Sequence, residues 1–178
     1  MTYGGYTGKF LTVDLDSGTF GSLPLGDELA EKYLGGRGFV AKLLYYMLPR
    51  GIDPRGSQNV IVFANGPATG TMIPTASRIA VGVKSPLTGA LSASYMGGHF
   101  GPELKYAGWD GIIITGASDK PVTLVIDDGE ARLIDAGHLW GKDTVETQRL
   151  LQTELGDDFR TGAIGPAGEN GVLYGTFM

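Results

Sequence analysis

The placing of glycine constrains this chain more than any other feature of its sequence. Thirty of the 178 residues are glycine, and they separate short apolar runs instead of forming a low-complexity tract. Such spacing predicts many tight turns and several places where the main chain approaches another group closely. The densest case is residues 93–101, ASYMGGHFG, where three glycines stand beside a tyrosine, a methionine, a histidine and a phenylalanine. Neither a surface linker nor a buried strand is expected to combine these residue types.

Strand and helix periods follow one another along the rest of the chain. Alternation over 6–20 predicts a β-hairpin, and helical spacing predicts helices from Asp27 and from about Gly38. Further strands are predicted at 60–64, 78–84 and 111–115, a helix over 100–107, a hairpin around Asp128-Gly129, and a helix from Asp143 or Thr144 to Gly156. Residues 161–178 are predicted to form a strand, a turn and another strand. No linker divides the chain, so the pattern predicts one α+β unit whose sheets are covered by helices.

Two segments of the chain resemble each other. VFANGPATG and AIGPAGEN each place Gly-Pro-Ala after a short apolar run. An internal duplication would explain the likeness, and so would the general frequency of Gly-Pro turns after strands.

Composition excludes several classes of function and of site. The net charge is −5, without a dense basic run, so nucleic-acid binding is not expected. The chain has no cysteine and can form neither a disulfide nor a thiolate-ligated iron–sulfur cluster from its own residues. The start of the chain lacks the apolar core of a signal peptide, and the apolar runs are too short to span a bilayer. A cytoplasmic protein without membrane contact is the expectation.

Familiar catalytic motifs are absent from the sequence. HExxH, GxSxG, CxxC and the phosphate-binding GxxxxGK[ST] do not occur. His138 is expected to be structural, whereas His99 lies in the glycine-rich stretch, although a lone histidine cannot make a metal site. Residues 35–38, GGRG, follow a predicted helix instead of a strand and fit the dinucleotide fingerprint poorly.

Two glycine-rich segments remain as candidates for a binding site. One is 66–78, GPATGTMIPTASR, which is rich in hydroxyl groups and ends at Arg78; the other is 93–101. Main-chain N–H groups, hydroxyls and a guanidinium suit a phosphate or a polar heterocycle. On pattern alone, a surface ion pair explains Arg78 as well as a ligand does, and turn geometry explains the glycines somewhat better than a ligand does.

Several segments together resemble one known family. They are YTGKFLTVDLDSG, LGGRG, NVIVFANGPATGT, VKSPLTG, MGGHFGPELKYAGWDGIIITG, HLWGKDT and IGPAGENGVLYGTFM, in unbroken order over almost the whole chain. Each is weakly specific alone. Together they resemble the amino-terminal domain of the tungsten-containing aldehyde ferredoxin oxidoreductase family.

The resemblance implies a fold, a set of cofactors and a reaction. It implies two β-sheets flanked by helices in α/β/β/α layers, with residues 1–178 as a single amino-terminal domain that cradles the cofactor. The cofactor would be a tungsten- or molybdenum-bispterin with a magnesium ion. Complete family members oxidise aldehydes to carboxylic acids and pass electrons to ferredoxin, and some relatives act on aromatic thioesters. The [4Fe-4S] cluster and the catalytic acid or base come from later domains.

The resemblance also assigns roles to single residues. Arg78 matches an arginine that contacts a pterin, and Gly97, with Gly98 beside it, matches a glycine against the same cofactor. Tyr95 stands where many relatives have an asparagine whose main-chain carbonyl helps to hold the magnesium ion. The departure removes a side-chain amide but keeps the carbonyl.

The ending of the chain carries further expectations. The family's second cofactor loop would follow the last matched segment. The chain is therefore expected to be a truncated domain, or a subunit that needs a partner, and to be inactive alone. The alternative is a non-enzymatic subunit of the same fold that binds a pterin or a phosphate or serves assembly, with a homodimer as one arrangement.

Overall fold

A six-stranded mixed sheet forms the centre of the protein. The computed structural model describes residues 3–178. The strands are β1 (Lys9–Asp14), β2 (Thr19–Pro24), β3 (Ile61–Ala64), β4 (Ile79–Lys84), β5 (Leu91–Met96) and β6 (Gly111–Thr115). Their order across the sheet is β2-β1-β6-β3-β4-β5, and only β1 and β6 run parallel. A second sheet is the antiparallel hairpin of β7 (Val122–Asp127) and β8 (Glu130–Asp135).

Five helices accompany these sheets in the described part of the chain. They are α1 (Asp27–Tyr33), α2 (Arg37–Met47), α3 (Phe100–Tyr106), α4 (Thr144–Leu155) and α5 (Gly165–Glu169). None of the helices within 3–178 has the length and apolarity needed to cross a membrane. The start of α4 follows the sequence closely, because the Asp143 side chain accepts the Glu146 N–H at 2.7 Å as an N-cap.

One face of the large sheet is covered by α1 and α2. Phe39, Val40 and Leu44 of α2 pack against inward-facing strand residues such as Val62 and Ala80. Glycine at position 82 of β4 permits this approach, because a Cβ there would collide with the Val40 side chain. The absence of a side chain at 82 therefore lets α2 pack closely on β4.

The opposite face is covered by α3 and the β7–β8 hairpin. Leu104 and Trp109 pack with Phe63 and Ile112 on this face, and Leu124 of the hairpin closes the cluster. Both faces of β1, β3 and β6 are therefore buried, which matches their near-continuous apolar sequences. The prediction of an α+β fold with two sheets flanked by helices is confirmed.

The first half of the stretch 93–101 belongs to an exposed strand. β5 is the last strand of the sheet, and its residues are exposed or half-buried. Its sequence lacks the alternation of a strand with one well-buried face, so no strand was expected there. Phe100 begins α3 and His99 is its N-cap residue, as the pattern predicts for the end of the stretch.

The prediction of two strands at the end of the chain is wrong. Gly165, at φ 60°, begins the short helix α5, with Pro166 in its first turn, where a missing N–H is tolerated. Extended pairing is limited to Ala163 and Met178, which exchange two main-chain hydrogen bonds of 2.7 and 2.9 Å. Since Gly66-Pro67 follows a strand and Gly165-Pro166 opens a helix, the two similar segments adopt different structures, and the structure does not show them as equivalent halves.

Candidate functional site

The β4–β5 hairpin brings the predicted site residues to one end of the sheet. Ile79 pairs with Met96 as the last pair of the ladder, and Ala80 pairs with Tyr95. Extending the same register by one step places Arg78 opposite Gly97. We call this group, Arg78, Tyr95, Gly97 and Gly98, the β4–β5 end. Residues far apart in sequence thus meet because two strands pair.

The main-chain carbonyl of Tyr95 points away from β4, toward the free edge of the sheet. Ser85 and Ala90 lie one step beyond the other end of the ladder, which is the pair of Lys84 and Leu91. The Ser85 N–H donates to the Ala90 carbonyl at 2.8 Å, so Ser85 and Ala90 form a hydrogen-bonded pair. Hydrogen-bonded and non-bonded pairs alternate in an antiparallel ladder. Counting from Ser85, the pair of Ala80 and Tyr95 is non-bonded. The N–H and C=O of Tyr95 therefore face the free edge of β5, where no strand within 3–178 pairs with it.

Gly97 and Gly98 leave an open surface beside that carbonyl. A Cβ placed on either residue would meet no atom within 4 Å among the residues described. Gly98 has φ 77°, a conformation that favours glycine, whereas the φ of Gly97 lies outside this left-handed range. The backbone and packing of the chain itself thus account for glycine at 98 but not at 97. A flat group lying against the main chain would account for Gly97.

Arg78 stands at the end of the 66–78 loop, immediately before β4. Its side chain is exposed, and within 3–178 its guanidinium makes no hydrogen bond or ion pair. Its carbonyl accepts the Thr69 hydroxyl at 3.4 Å. The surface ion pair that pattern alone allowed is absent from this part of the chain, so the guanidinium is free to bind an anionic group.

The start of α2 lies on the same side of the sheet and was missed by sequence reasoning. A Cβ on Gly36 would be 3.9 Å from the Ala80 Cβ, and the Gly36 N–H donates to the Asn65 carbonyl at 3.0 Å. Arg37, exposed, opens the helix, whose first turn holds no acidic residue. The GGRG segment fits the dinucleotide fingerprint poorly because it follows a helix. Its signal was the arginine among glycines that permit close approach to β3 and β4.

Electrostatics at this end of the sheet differ from those of the whole chain. The net charge is −5. Here, however, Arg37 is the first residue of α2, whose positive dipole end lies beside Ala80, and Arg78 comes two residues before Ala80 in the chain. The outward carbonyl of Tyr95 belongs to the residue paired with Ala80. Cationic side chains with N–H groups suit phosphate oxygens, and a carbonyl suits a hard cation such as magnesium. The arrangement fits a flat, phosphate-bearing ligand with a bound cation.

The two histidines do not join this group as a metal site. His138 contacts the Glu154 carboxylate at 2.7 Å, which agrees with a structural role. His99 is exposed at the start of α3, and residues 3–178 contain no cluster of three His, Cys, Asp or Glu side chains able to hold a metal.

A buried polar network lies beneath the 66–78 loop. Lys105 of α3 is 9% exposed, and Asp110 is 1% exposed. Asp110 accepts the N–H groups of Thr7 and Gly8 at 3.0 and 2.7 Å. Burial lowers the pKa of Lys105, and the charge of Asp110 opposes that shift. No local sequence signal predicts this network, since a lysine in a short helix is usually exposed.

Known proteins resemble the chain over almost its full length. The family model described as aldehyde ferredoxin oxidoreductase, N-terminal domain, matches residues 10–178. The tungsten-containing aldehyde ferredoxin oxidoreductase of Pyrococcus horikoshii is 45% identical over 98% of this chain, and that of Thermococcus kodakarensis is 43% identical over 99%. In each case the chain spans 29% of the length of the relative.

A solved structure shares the fold closely. The active-site complex BamBC of benzoyl coenzyme A reductase, in complex with 1,5-dienoyl-CoA, matches with a TM-score of 0.94 and 39% identity. The match covers 98% of this chain and 27% of that one. From the family match and the near-complete coverage, we conclude that the chain belongs to the family of aldehyde ferredoxin oxidoreductase N-terminal domains.

Proposed function

We propose that this chain supplies one half of the cradle for a tungsten- or molybdenum-bispterin cofactor in an oxidoreductase. The complete protein would oxidise aldehydes to carboxylic acids, with ferredoxin as electron acceptor. The observation that carries the proposal is the convergence at the β4–β5 end of an unpaired arginine, an outward carbonyl and an unexplained open glycine. Tungsten-containing relatives at 45% identity support it.

Each residue would have a distinct task. The Arg78 guanidinium would donate to polar atoms of a pterin, the Tyr95 carbonyl would bind a magnesium ion, and Gly97 and Gly98 would let the cofactor approach the main chain. The metal of such a cofactor would supply the two-electron chemistry. This domain would hold and orient it, while a [4Fe-4S] cluster would be ligated elsewhere in the complete protein, because this chain has no cysteine.

Other parts of the proposal concern the assembly. The relatives have more than two thirds of their length outside the matched region. Further domains or a partner subunit would therefore close the cofactor site from the other side. Ferredoxin binding, a homodimer and a cytoplasmic location stay predictions.

A second reaction class is favoured by the structural neighbour. Its match to a benzoyl coenzyme A reductase complex at 39% identity suggests reduction of an aromatic thioester as the alternative to aldehyde oxidation. Assays of the complete protein with an aldehyde and an artificial acceptor, and with an aromatic acyl-CoA and a strong reductant, separate the two.

The cofactor proposal is tested by Arg78→Gln in the complete protein. Production with tungstate and molybdate, followed by metal and pterin analysis, should show stoichiometric cofactor in the wild type. One charge-assisted hydrogen bond is worth about 1.5–3 kcal/mol, so Arg78→Gln should weaken cofactor retention about tenfold or more. Arg149→Gln, at an exposed arginine of α4, is the matched control.

Two outcomes would contradict the proposal. Full cofactor content in Arg78→Gln would remove Arg78 from the site. A folded wild-type protein without metal or pterin, assembled as a dimer that buries the β4–β5 end, would favour the non-enzymatic assembly subunit.

A further inference from the structure

We propose that Lys105 is the positioning residue for the 66–78 loop and thereby for Arg78. The inference rests on the proposed cofactor function. The Lys105 ammonium donates to the Gly66 carbonyl at 2.7 Å and to the Pro67 carbonyl at 3.3 Å. These two carbonyls lie where the chain leaves β3 and enters the loop. A buried ammonium thus holds the turn from which the loop starts.

The loop also packs around the stem of the lysine. A Cβ on Gly70 would be 3.6 Å from both the Cβ and the Cδ of Lys105, and 3.3 Å from the Tyr106 ring. Gly70 has φ 73°, which lets the main chain turn over the lysine. Lys105 therefore contacts the loop both through its charged end and along its methylene chain.

A hydrogen bond joins this anchored part of the loop to the candidate site. Thr69 is 3% exposed, and its hydroxyl donates to the Arg78 carbonyl at 3.4 Å. The path from Lys105 to Arg78 therefore runs through Gly66–Gly70 and one side-chain bond. Loss of the Lys105 ammonium would free the start of the loop and, through Thr69, the backbone of Arg78.

The same anchor reaches the start of α2. A Cβ on Gly35 would be 2.7 Å from the Gly66 Cα and 3.2 Å from the Pro67 Cδ, and the Gly36 N–H donates to the Asn65 carbonyl. A shift of the Gly66-Pro67 turn would thus disturb the packing of Gly35 as well. The turn that Lys105 holds is therefore also the one against which Gly35, two residues before Arg37, packs.

The surroundings of Lys105 suit a retained cation. The Nζ lies 5.8 Å from the centre of the Tyr6 ring, and the buried Asp110 carboxylate favours the charged form. The water that burial removes is replaced by two carbonyl acceptors, a ring face and a nearby carboxylate. An uncharged methionine would keep the stem and its packing but leave the Gly66 and Pro67 carbonyls without their donor.

The test compares Lys105→Met with Lys105→Arg in the complete protein, with Lys120→Met as a matched control at an exposed lysine. Hydrogen exchange of peptides covering 66–79, measured without cofactor, reports the loop. Lys105→Met should speed exchange there about tenfold or more, because a charge-assisted bond is lost. Lys105→Arg, which keeps a cationic donor, should restore much of the protection, and Lys120→Met should leave the loop unchanged.

Cofactor content is the second measurement and separates the two proposals. Lys105→Met should lose cofactor as well as loop protection. Thr69→Val removes the hydrogen bond to the Arg78 carbonyl and should lose part of the cofactor. This second variant keeps the inference testable if Lys105→Met folds poorly. Wild-type exchange and cofactor content in Lys105→Met would overturn the inference. Faster loop exchange in Lys105→Met with full cofactor retention would also overturn the inference. In that case, loss of cofactor in Arg78→Gln would leave the proposed function standing. Absence of cofactor from the wild type would overturn both.

Discussion

Neighbouring glycines at the β4–β5 end have different physical reasons for being glycine. Gly98 adopts φ 77°, which costs any other L-residue strain, whereas the φ of Gly97 is outside that range and the space beside it is open. Pattern alone suggested turn geometry for both residues. The structure supports that interpretation for Gly98 and leaves Gly97 to the proposed cofactor.

Alanine at each position should separate the two roles. Gly98→Ala should lower the free energy of unfolding by about 1–2 kcal/mol because of the left-handed backbone. Gly97→Ala should change it by no more than about 0.5 kcal/mol, but should lower cofactor content, since a methyl group would project into the space for the cofactor. Urea unfolding of the metal-free protein and metal analysis give the two readouts. Full cofactor content in Gly97→Ala would contradict the proposed contact.

At the scale of elements, the sequence predicts most of the regular structure. Buried strands such as β3 and β6 and the capped helix α4 carry local signals, either apolar runs bounded by turn residues or an N-cap. β5 was not predicted, because an edge strand is defined by its single neighbour and not by its own composition. The prediction of strands at the end of the chain is wrong because Gly165-Pro166 is typical of a turn after a strand, although proline also favours the first turn of a helix.

At the candidate site, too, local sequence signals predict only some of the features. Arg78, Tyr95 and Gly97 were identified through the family resemblance, and their proximity is a property of the β4–β5 register. Lys105 carries no comparable local signal, and the arginine among glycines at the start of α2 gives no sign by itself of which strands it lies beside. Lys105 and the start of α2 enter the site through long-range packing that no single segment encodes.

A tyrosine hydroxyl links the first residues described to the end of α1. Tyr6 donates to the Leu34 carbonyl at 2.7 Å, where Leu34 has φ 61°. Tyr6→Phe should lower the free energy of unfolding by about 1 kcal/mol, the usual contribution of a neutral hydrogen bond. Tyr174→Phe, at an exposed tyrosine, is the control.

The effect of Tyr6→Phe should also depend on pH. Burial and, less strongly, the charge of Asp110 raise the pKa of Tyr6 above its ordinary value near 10. A raised pKa in the folded state means that the contribution is complete below the ordinary value and is lost as pH rises through the folded one. The difference between wild type and Tyr6→Phe should therefore shrink in strongly alkaline solution. A difference that grows there would contradict the assigned shift.

At the scale of the whole molecule, the chain matches only part of its relatives, and the proposed function gives it only part of a site. It spans 29% of the length of its tungsten-containing relatives and brings no cysteine. Under the proposed function, the groups gathered at the β4–β5 end would bind and orient a cofactor, and residues 3–178 contain no cluster of three His, Cys, Asp or Glu side chains able to hold a metal. The proposed function therefore gives this domain the task of positioning a cofactor and assigns the other groups of the reaction to the remainder of the protein.

The proposed function predicts that the 178-residue chain, purified alone, has no catalytic activity. Aldehyde-dependent reduction of a viologen dye should not exceed that of a buffer blank, whereas the complete protein should reduce the dye. Turnover by the isolated chain would show that the domain holds more of the reaction than we assign to it.

The position of the cofactor tests the central claim most directly. A crystal structure of the complete protein, with anomalous scattering recorded at the tungsten and molybdenum edges, would locate the metal and the phosphates. We predict a pterin lying along Gly97 and Gly98 within reach of the Arg78 guanidinium, and a magnesium ion about 2.0–2.1 Å from the Tyr95 carbonyl oxygen. A metal cofactor bound away from the β4–β5 end, with Arg78 and Tyr95 in contact with solvent or another polypeptide, would contradict the account.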